Sequence, residues 1–223
     1  MKKLSVVIAA VALLLAAFVI ATQIYNKQKD EKAAANVQQN YSVLERAHSP
    51  TLGDKNAKVT IVEFFDPACE TCKAFSPLLK DMVKSYPGKI RVVLRYLPLH
   101  QGSDEVVKYL AAAQQQGKFW ELLDTAYDTQ GGWTRHHVVQ LDEFAKILTL
   151  TSVDIEKANQ DVKSADLLQR IQQDIADAKT LKVTKTPGFF VNGKPLVRFG
   201  FQEFIDLVGS EFKIHYPQAV EKK

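Results

Sequence analysis

From Leu4 to Ile24 the chain carries 21 residues without a charge, most of them apolar. A run of that length predicts a membrane-spanning helix. Behind Met1-Lys2-Lys3 it also fits a long signal-peptide core, cleaved after Ala21 with Val19 and Ala21 at the small-residue positions. Residues 25–47 then turn polar, rich in Gln, Asn, Lys and Ala, with neither Gly nor Pro. Their apolar spacing is too irregular for a coiled coil, so they predict a solvated spacer or stalk. Pro50, Gly53 and Asp54 mark a turn-rich entry to the body of the chain.

The pattern next alternates between short apolar blocks and helical spacing. Val59–Phe65 predicts a buried strand, within 58–65, that contains one acid, Glu63. A helix is expected from about 70 to 86, with Phe75, Leu78, Leu79, Met82 and Val83 on one face and Pro77 kinking it. Pro87-Gly88 ends it, and Ile90–Leu97 reads as a second buried strand closed by Pro98. Strand, helix and strand of these lengths form a right-handed parallel unit. Residues 103–180 read as wholly helical: a start at Ser103, a stop at Gly117, helical spacing over 119–127 and 138–148, a capping box from Thr151 to Asp154, and a face of Leu167, Ile171, Ile175 and Ala178. Two further apolar runs flank Asn192-Gly193, a strong hairpin signal, and Phe201–Phe212 predicts a last helix. The result is an α/β chain: an N-terminal segment 1–24, stalk and entry turn 25–54, one domain over 55–213 with a helical insertion at about 103–180, and a tail 214–223.

Charge changes little. Setting aside Lys2 and Lys3 leaves 27 basic residues against 25 acidic, no electrostatic footprint for nucleic acid. The two lysines favour a cytoplasmic N-terminus and an exported body, weakened by Lys27, Lys29 and Lys32 after the run. The expected location is a single pass in the inner membrane with a periplasmic body, or a soluble periplasmic body if the segment is cleaved.

The cysteines change the picture most. Only Cys69 and Cys72 occur, as C-x-x-C, where the first strand gives way to a helix. Unpaired N–H groups and the helix dipole there favour an anion, which marks Cys69 as a nucleophilic thiolate and Cys72 as the resolving thiol. Two other readings stand beside this. A zinc site wants four ligands, and no second Cys pair exists; a purely structural disulfide would close too short a loop to gain much. Glu63 is either a costly buried acid with a task or an acid at a strand edge reaching water. His100 is either an unpaired surface histidine or one near the mouth of the site, and His136-His137 falls in a loop with no partner for a metal.

The stretches EFFDPACETC (Glu63–Cys72) and TPGFFVNGKP (Thr186–Pro195), with the strand–helix–strand unit and the helical insertion, resemble the DsbA-type thiol:disulfide oxidoreductases of the thioredoxin superfamily. The likeness covers roughly residues 55–213. It implies a thioredoxin-like fold, attack through Cys69, resolution by Cys72, a buried proton acceptor at Glu63, and a cis-proline at Pro187 that with Thr186 aligns a bound polypeptide. No cofactor is implied beyond the Cys69–Cys72 disulfide; the implied partners are exported cysteine-containing proteins and a membrane or periplasmic redox partner. Between the cysteines the chain departs from the strong oxidants, which carry a histidine second. Glu70 and Thr71 stand there instead, so they are expected to tune the potential, and oxidant, reductase and isomerase remain open. The competing class is a Cu(I)-binding module using the same two thiols.

Overall fold

A computed structural model describes residues 2–219. Met1 of the expected N-terminal segment and residues 220–223 of the expected tail lie outside the described residues. With no Gly or Pro to interrupt it, one helix, α1 (Lys2–Gln39), carries both the apolar run and most of the polar segment. From Val11 it is long and apolar enough to cross a membrane, and none of that apolar window is buried. Its far end is no free stalk. Val37 and, past a single 3₁₀ turn at Tyr41–Val43, Leu44 bury themselves against Val62, Phe64, Val93 and Phe190.

The expected entry turn holds a short edge strand, β1 (Thr51–Gly53). It runs antiparallel to β3 (Ile90–Tyr96), with Thr51 opposite Val93. Between β3 and the C-terminal hairpin lies β2 (Val59–Phe65), all seven residues buried because the sheet is covered on both faces. β2 pairs parallel with β3 over its whole length, Val59 opposite Ile90 through Phe65 opposite Tyr96. The connecting helix, α2 (Glu70–Ser85), continues through Pro77.

The insertion comprises α3 (Ser103–Gln115), α4 (Phe119–Asp128), the short α5 (Gln130–Trp133), a hairpin, then α6 (Leu141–Leu148), α7 (Ile155–Asp161) and α8 (Ala165–Thr180). The hairpin corrects the wholly helical reading. β4 (Thr134–Arg135) pairs with β5 (Val138–Val139) across His136 and His137, both at positive φ (50° and 63°), the geometry of a two-residue hairpin turn. Val138 is therefore strand, and α6 starts three residues later than its apolar spacing suggests. The capping box is also corrected: Asp154, not Thr151, caps α7, its carboxylate accepting from Lys157 N–H at 2.9 Å. Thr151 Oγ1 instead donates back to the carbonyl of Leu148.

The chain re-enters the sheet with β6 (Gly188–Val191), antiparallel to β2, and β7 (Lys194–Pro195), giving the order β1-β3-β2-β6-β7. Asn192 and Gly193 turn between them, both at positive φ (48° and 79°). α9 (Phe201–His215) closes the domain by burying Phe204, Val208 and Phe212. Phe75 ties α2 to it, stacked on Phe201 at 4.1 Å and edge-on to Phe204. A phenylalanine buried this completely contributes about 1.5–3 kcal/mol.

A charged cluster also lies inside this core. Arg95, in β3, is wholly buried; its guanidinium donates to Asp174 and Asp177 on α8 and to the carbonyls of Val43 and Leu44. His48 and Arg46 complete the cluster on Asp174 and Asp177.

Candidate active site

β2 ends at Phe65, and four residues, Asp66 to Cys69, turn the chain into α2. Cys69 is the N-cap of that helix, so the unpaired N–H groups of its first turn surround the sulfur. Both cysteines are free thiols; Cys69 is 7% exposed and Cys72, one turn along, 0%. The two sulfurs are electrostatically unlike. Cys69 is lowered from 9.0 to about 5, chiefly by a hydrogen bond from the Cys72 thiol, against the cost of burial. The Cys72 N–H, the Thr186 side chain and the Thr71 N–H lower it further. Cys72 is pushed well above 9.0 by burial first, then by that same hydrogen bond and the charges of Glu63 and Cys69. One thiol is thus a ready anion at neutral pH and the other keeps its proton.

Glu63 sits in the centre of the sheet, with Leu94 of β3 on one side and Phe189 of β6 on the other. It is 3% exposed, so it is no edge acid reaching water. Burial, then the charge of Cys69, raises it from 4.5 to about 8, while a hydrogen bond with Cys72 pulls it back. Its Oε1 has no hydrogen-bond partner. A cavity of about 10 Å³, the room of roughly one water, borders Glu63 and is lined by Ser76, Lys80 and Tyr127 among others.

The Thr186–Pro187 peptide is cis, and the carbonyl of Thr186 lies 3.5 Å from Cys69 Sγ, accepting from it when Cys69 is a thiol. Thr71, Thr186 and Pro187 share one groove, while Glu70 stands exposed at the helix start. All seven residues singled out in sequence therefore meet at the junction of β2, α2 and β6.

Sequence reasoning missed the carboxylate beneath them. Asp66 is fully buried and accepts from Ala68 N–H (2.8 Å), Leu99 N–H (2.6 Å), His100 N–H (2.8 Å) and Ser103 Oγ (3.1 Å). His100 Nδ1 adds a fifth contact at 2.7 Å, so this histidine is paired, not free on the surface. Asp66 thereby ties the cysteine loop to the loop after β3. His100 in turn stacks on His137 of the inserted hairpin, ring centres 5.5 Å apart. Gln130, from α5, donates to the carbonyl of Pro67 at 2.9 Å. The one available sequence signal was Asp-Pro itself, a turn initiator placed directly after a buried strand.

Known proteins fit this architecture. Among solved structures, a thioredoxin-like oxidoreductase from Silicibacter pomeroyi DSS-3 superposes with a TM-score of 0.65 at 26% identity, covering 76% of this chain and 94% of that one. The thiol-disulfide exchange protein alpha-DsbA2 from Wolbachia pipientis gives 0.69 at 20% identity, covering 82% and 97%. The Na(+)/H(+) antiporter NhaA of Herminiimonas arsenicoxydans is 28% identical over 144 residues, 65% of this chain but 22% of the antiporter. The chain thus spans about a fifth of the length of the antiporters it matches. Residues 45–206 match the thioredoxin family. The chain belongs to the thioredoxin family, and its fold, with a helical insertion between β3 and the Thr186–Pro187 bond and a cysteine pair at the mouth of α2, is similar to that of alpha-DsbA2.

Proposed function

We propose that this chain exchanges disulfides with exported proteins through Cys69 and Cys72, its body held outside the cytoplasm by α1. The observation that carries the reading is the asymmetry of the two sulfurs: a helix-capping thiolate beside a buried, protonated thiol, above a carboxyl raised to about 8. In the oxidising direction a substrate thiolate attacks Cys69 Sγ and forms a mixed disulfide. Cys72 leaves as a thiolate and takes the proton that Glu63 holds. A second substrate thiolate then attacks the substrate sulfur of the mixed disulfide, two electrons pass to the protein, and Cys69 departs as the stable anion. In the reducing direction Cys69 attacks a substrate disulfide, and Glu63, once its own proton has passed to water, accepts the Cys72 proton as resolution proceeds.

The direction of net flow is set by the thiolate. Thioredoxin-type cysteines lie near a pKa of about 7 and the strongest oxidants near about 3.5. A value of about 5 for Cys69 falls between them. Two pKa units are about 2.7 kcal/mol, or about 60 mV for a two-electron couple, in the direction of a disulfide more oxidising than that of thioredoxin. Such a centre donates its disulfide to exported dithiols more weakly than the strong oxidants do. Glu70 and Thr71, in place of a histidine, fit that intermediate poise.

The test joins a glutathione redox titration to a trap. Cys72→Ala should accumulate mixed disulfides with exported proteins and Cys69→Ala should accumulate none. Equal trapping by both variants would remove the assignment of the nucleophile; a potential near −120 mV would remove the intermediate poise.

A further inference from the structure

The groove that opens beside the redox centre has a wall that the sheet and its helices do not supply. It encloses about 610 Å³, within the range of about 300–1,000 Å³ that holds a drug-sized ligand. Thr71, Thr186 and Pro187 line it together with Lys29, Ala33, Asn36 and Val37, the last four on α1. These four residues come after Ala21, so they remain whether or not the apolar segment is removed.

That wall is fixed. Asn36 Nδ2 donates to the carbonyl of Thr180 at 3.2 Å, and Val37 is buried among Phe64, Val93 and Phe190. Just beyond the helix, the carbonyls of Val43 and Leu44 accept from Arg95 at 2.6 and 2.7 Å. The end of α1 therefore cannot swing away without exposing Val37 and straining the bonds that hold the chain just beyond it.

The lining is both apolar and basic. Leu196, Val197 and Phe199 supply apolar surface next to Pro187, and Phe199 is half exposed. Lys29, Lys182 and Lys185 line the same groove, no carboxylate does, and among the described residues none of the three is in an ion pair. A smaller cavity shares Lys29 and Val197 with the groove and adds two acids, Asp30 and Glu31, beside Lys27 and Arg198.

We propose that α1 is part of the substrate-binding surface, and that the groove takes an extended polypeptide segment, apolar next to its reactive cysteine and acidic beyond it, laid between Pro187 and Lys29. This rests on the oxidoreductase reading and adds a substrate class to it. Three cations that line one groove, none of them ion-paired among the described residues, favour an anionic segment and disfavour a basic one, in rate more than in final affinity.

The test uses the full chain, oxidised, in phosphatidylcholine nanodiscs. Two synthetic dithiol peptides share an apolar core and differ only in flanks of Glu or of Lys. Each protein's rate is divided by its own rate with uncharged dithiothreitol. At low salt the Glu-flanked peptide should react about tenfold faster than the Lys-flanked one, and the difference should collapse in high salt. Lys29→Glu alone, on the exposed side of α1, should shrink the ratio, and adding Lys182→Glu with Lys185→Glu should invert it. A photo-crosslinking residue in place of Ala33 should capture the Glu-flanked peptide. Equal rates for the two peptides at low salt would overturn the proposal, as would a ratio untouched by Lys29→Glu. So would an Ala33 probe that captures only lipid in discs containing phosphatidylglycerol, which would assign the groove to a headgroup. Failure to react with dithiothreitol would instead overturn the oxidoreductase reading itself.

Discussion

Glu63 and Cys69 should make the stability of this protein depend on pH in opposite senses, and oxidation should reveal one of them. In the fold Glu63 keeps its proton to about 8, whereas its ordinary value is 4.5. Between those values the folded chain binds more protons than the unfolded chain, so stability falls as pH rises, by about 1.4 kcal/mol per unit. Cys69 runs the other way. Its ordinary value is 9.0 and its folded value about 5, so in the reduced protein its contribution rises with pH at the same slope. From about pH 5 to 8 the two cancel in the reduced form. Cys72, held well above 9.0, does not enter that window.

Oxidation removes the Cys69 proton from the balance. It also removes the charge that is the second cause of the Glu63 shift, but leaves burial, the first. The oxidised protein should therefore lose stability between about pH 5.5 and 7.5, by at most about 2.7 kcal/mol. Oxidised Glu63→Gln should lack that loss, and reduced Glu63→Gln should gain a similar amount over the same interval. Urea unfolding of the full chain in mild detergent, monitored through Trp120 and Trp133, measures each slope. Comparing slopes cancels both the other titrating groups and the fixed cost of burying an amide. Parallel curves for oxidised wild type and oxidised Glu63→Gln would show that Glu63 is not held protonated, and the reasoning would fail.

Four other perturbations have definite expected outcomes. Cys72→Ala should raise Cys69 above about 5, because the Cys72 thiol is the largest cause of its lowering; a thiolate absorbance titration reads this directly. Asp66→Ala strands the N–H groups of Leu99 and His100 and the hydroxyl of Ser103, so unfolding should cost about 2–4 kcal/mol less, and a change under about 0.5 kcal/mol would refute the bridging role. Arg95→Met leaves Asp174 and Asp177 buried beside an apolar side chain, a loss of about 3–5 kcal/mol by the same unfolding measurement. Alkaline phosphatase fused after Gln28 should be active, and a fluorescent cytoplasmic reporter at that position dark; the reverse pair would invert the topology.

Local pattern carried the elements that hold the site. β2, β3, α2 and α9 are long and strongly periodic, and Asn192-Gly193 is a turn whose chemistry is visible in two letters. What stayed hidden depends on contacts distant in sequence. β1 is three residues, Thr-Leu-Gly, and becomes a strand only because β3 offers it an edge. The β4–β5 turn places two histidines at positive φ, where Asn or Gly would have announced it. Thr151 and Asp154 have capping-box spacing, but the first turn of α7 begins at the second of them. Asp66 and His100 lie 34 residues apart and are legible as a pair only once β2 and β3 are adjacent and parallel. Likewise nothing in IRVVLRYL tells which arginine is inside: Arg91 is half-buried and meets Glu45, whereas Arg95 is wholly enclosed.

That enclosed arginine bears on the proposed groove. Taking a guanidinium and two carboxylates out of water costs several kcal/mol per ion, and a well-packed apolar set of the same volume is often as stable or more so. Stability alone is therefore a weak reason for the cluster of Arg95, Asp174, Asp177, Arg46 and His48. Its geometry suggests another. Apolar packing is tolerant of small shifts, but hydrogen bonds from Arg95 to two successive carbonyls, Val43 and Leu44, fix the backbone just after α1 in one position. Arg46 and His48 repeat the constraint on the same two acids. Those acids lie on α8, one turn or so before Thr180, whose carbonyl takes the Asn36 amide. One polar cluster thus sets where the N-terminal helix leaves the body, and so how wide the groove stands between Lys29 and Pro187. Replacing the cluster with apolar residues should preserve stability while loosening that wall, and the ratio of rates for acidic and basic peptides would then fall even though every lysine is still present.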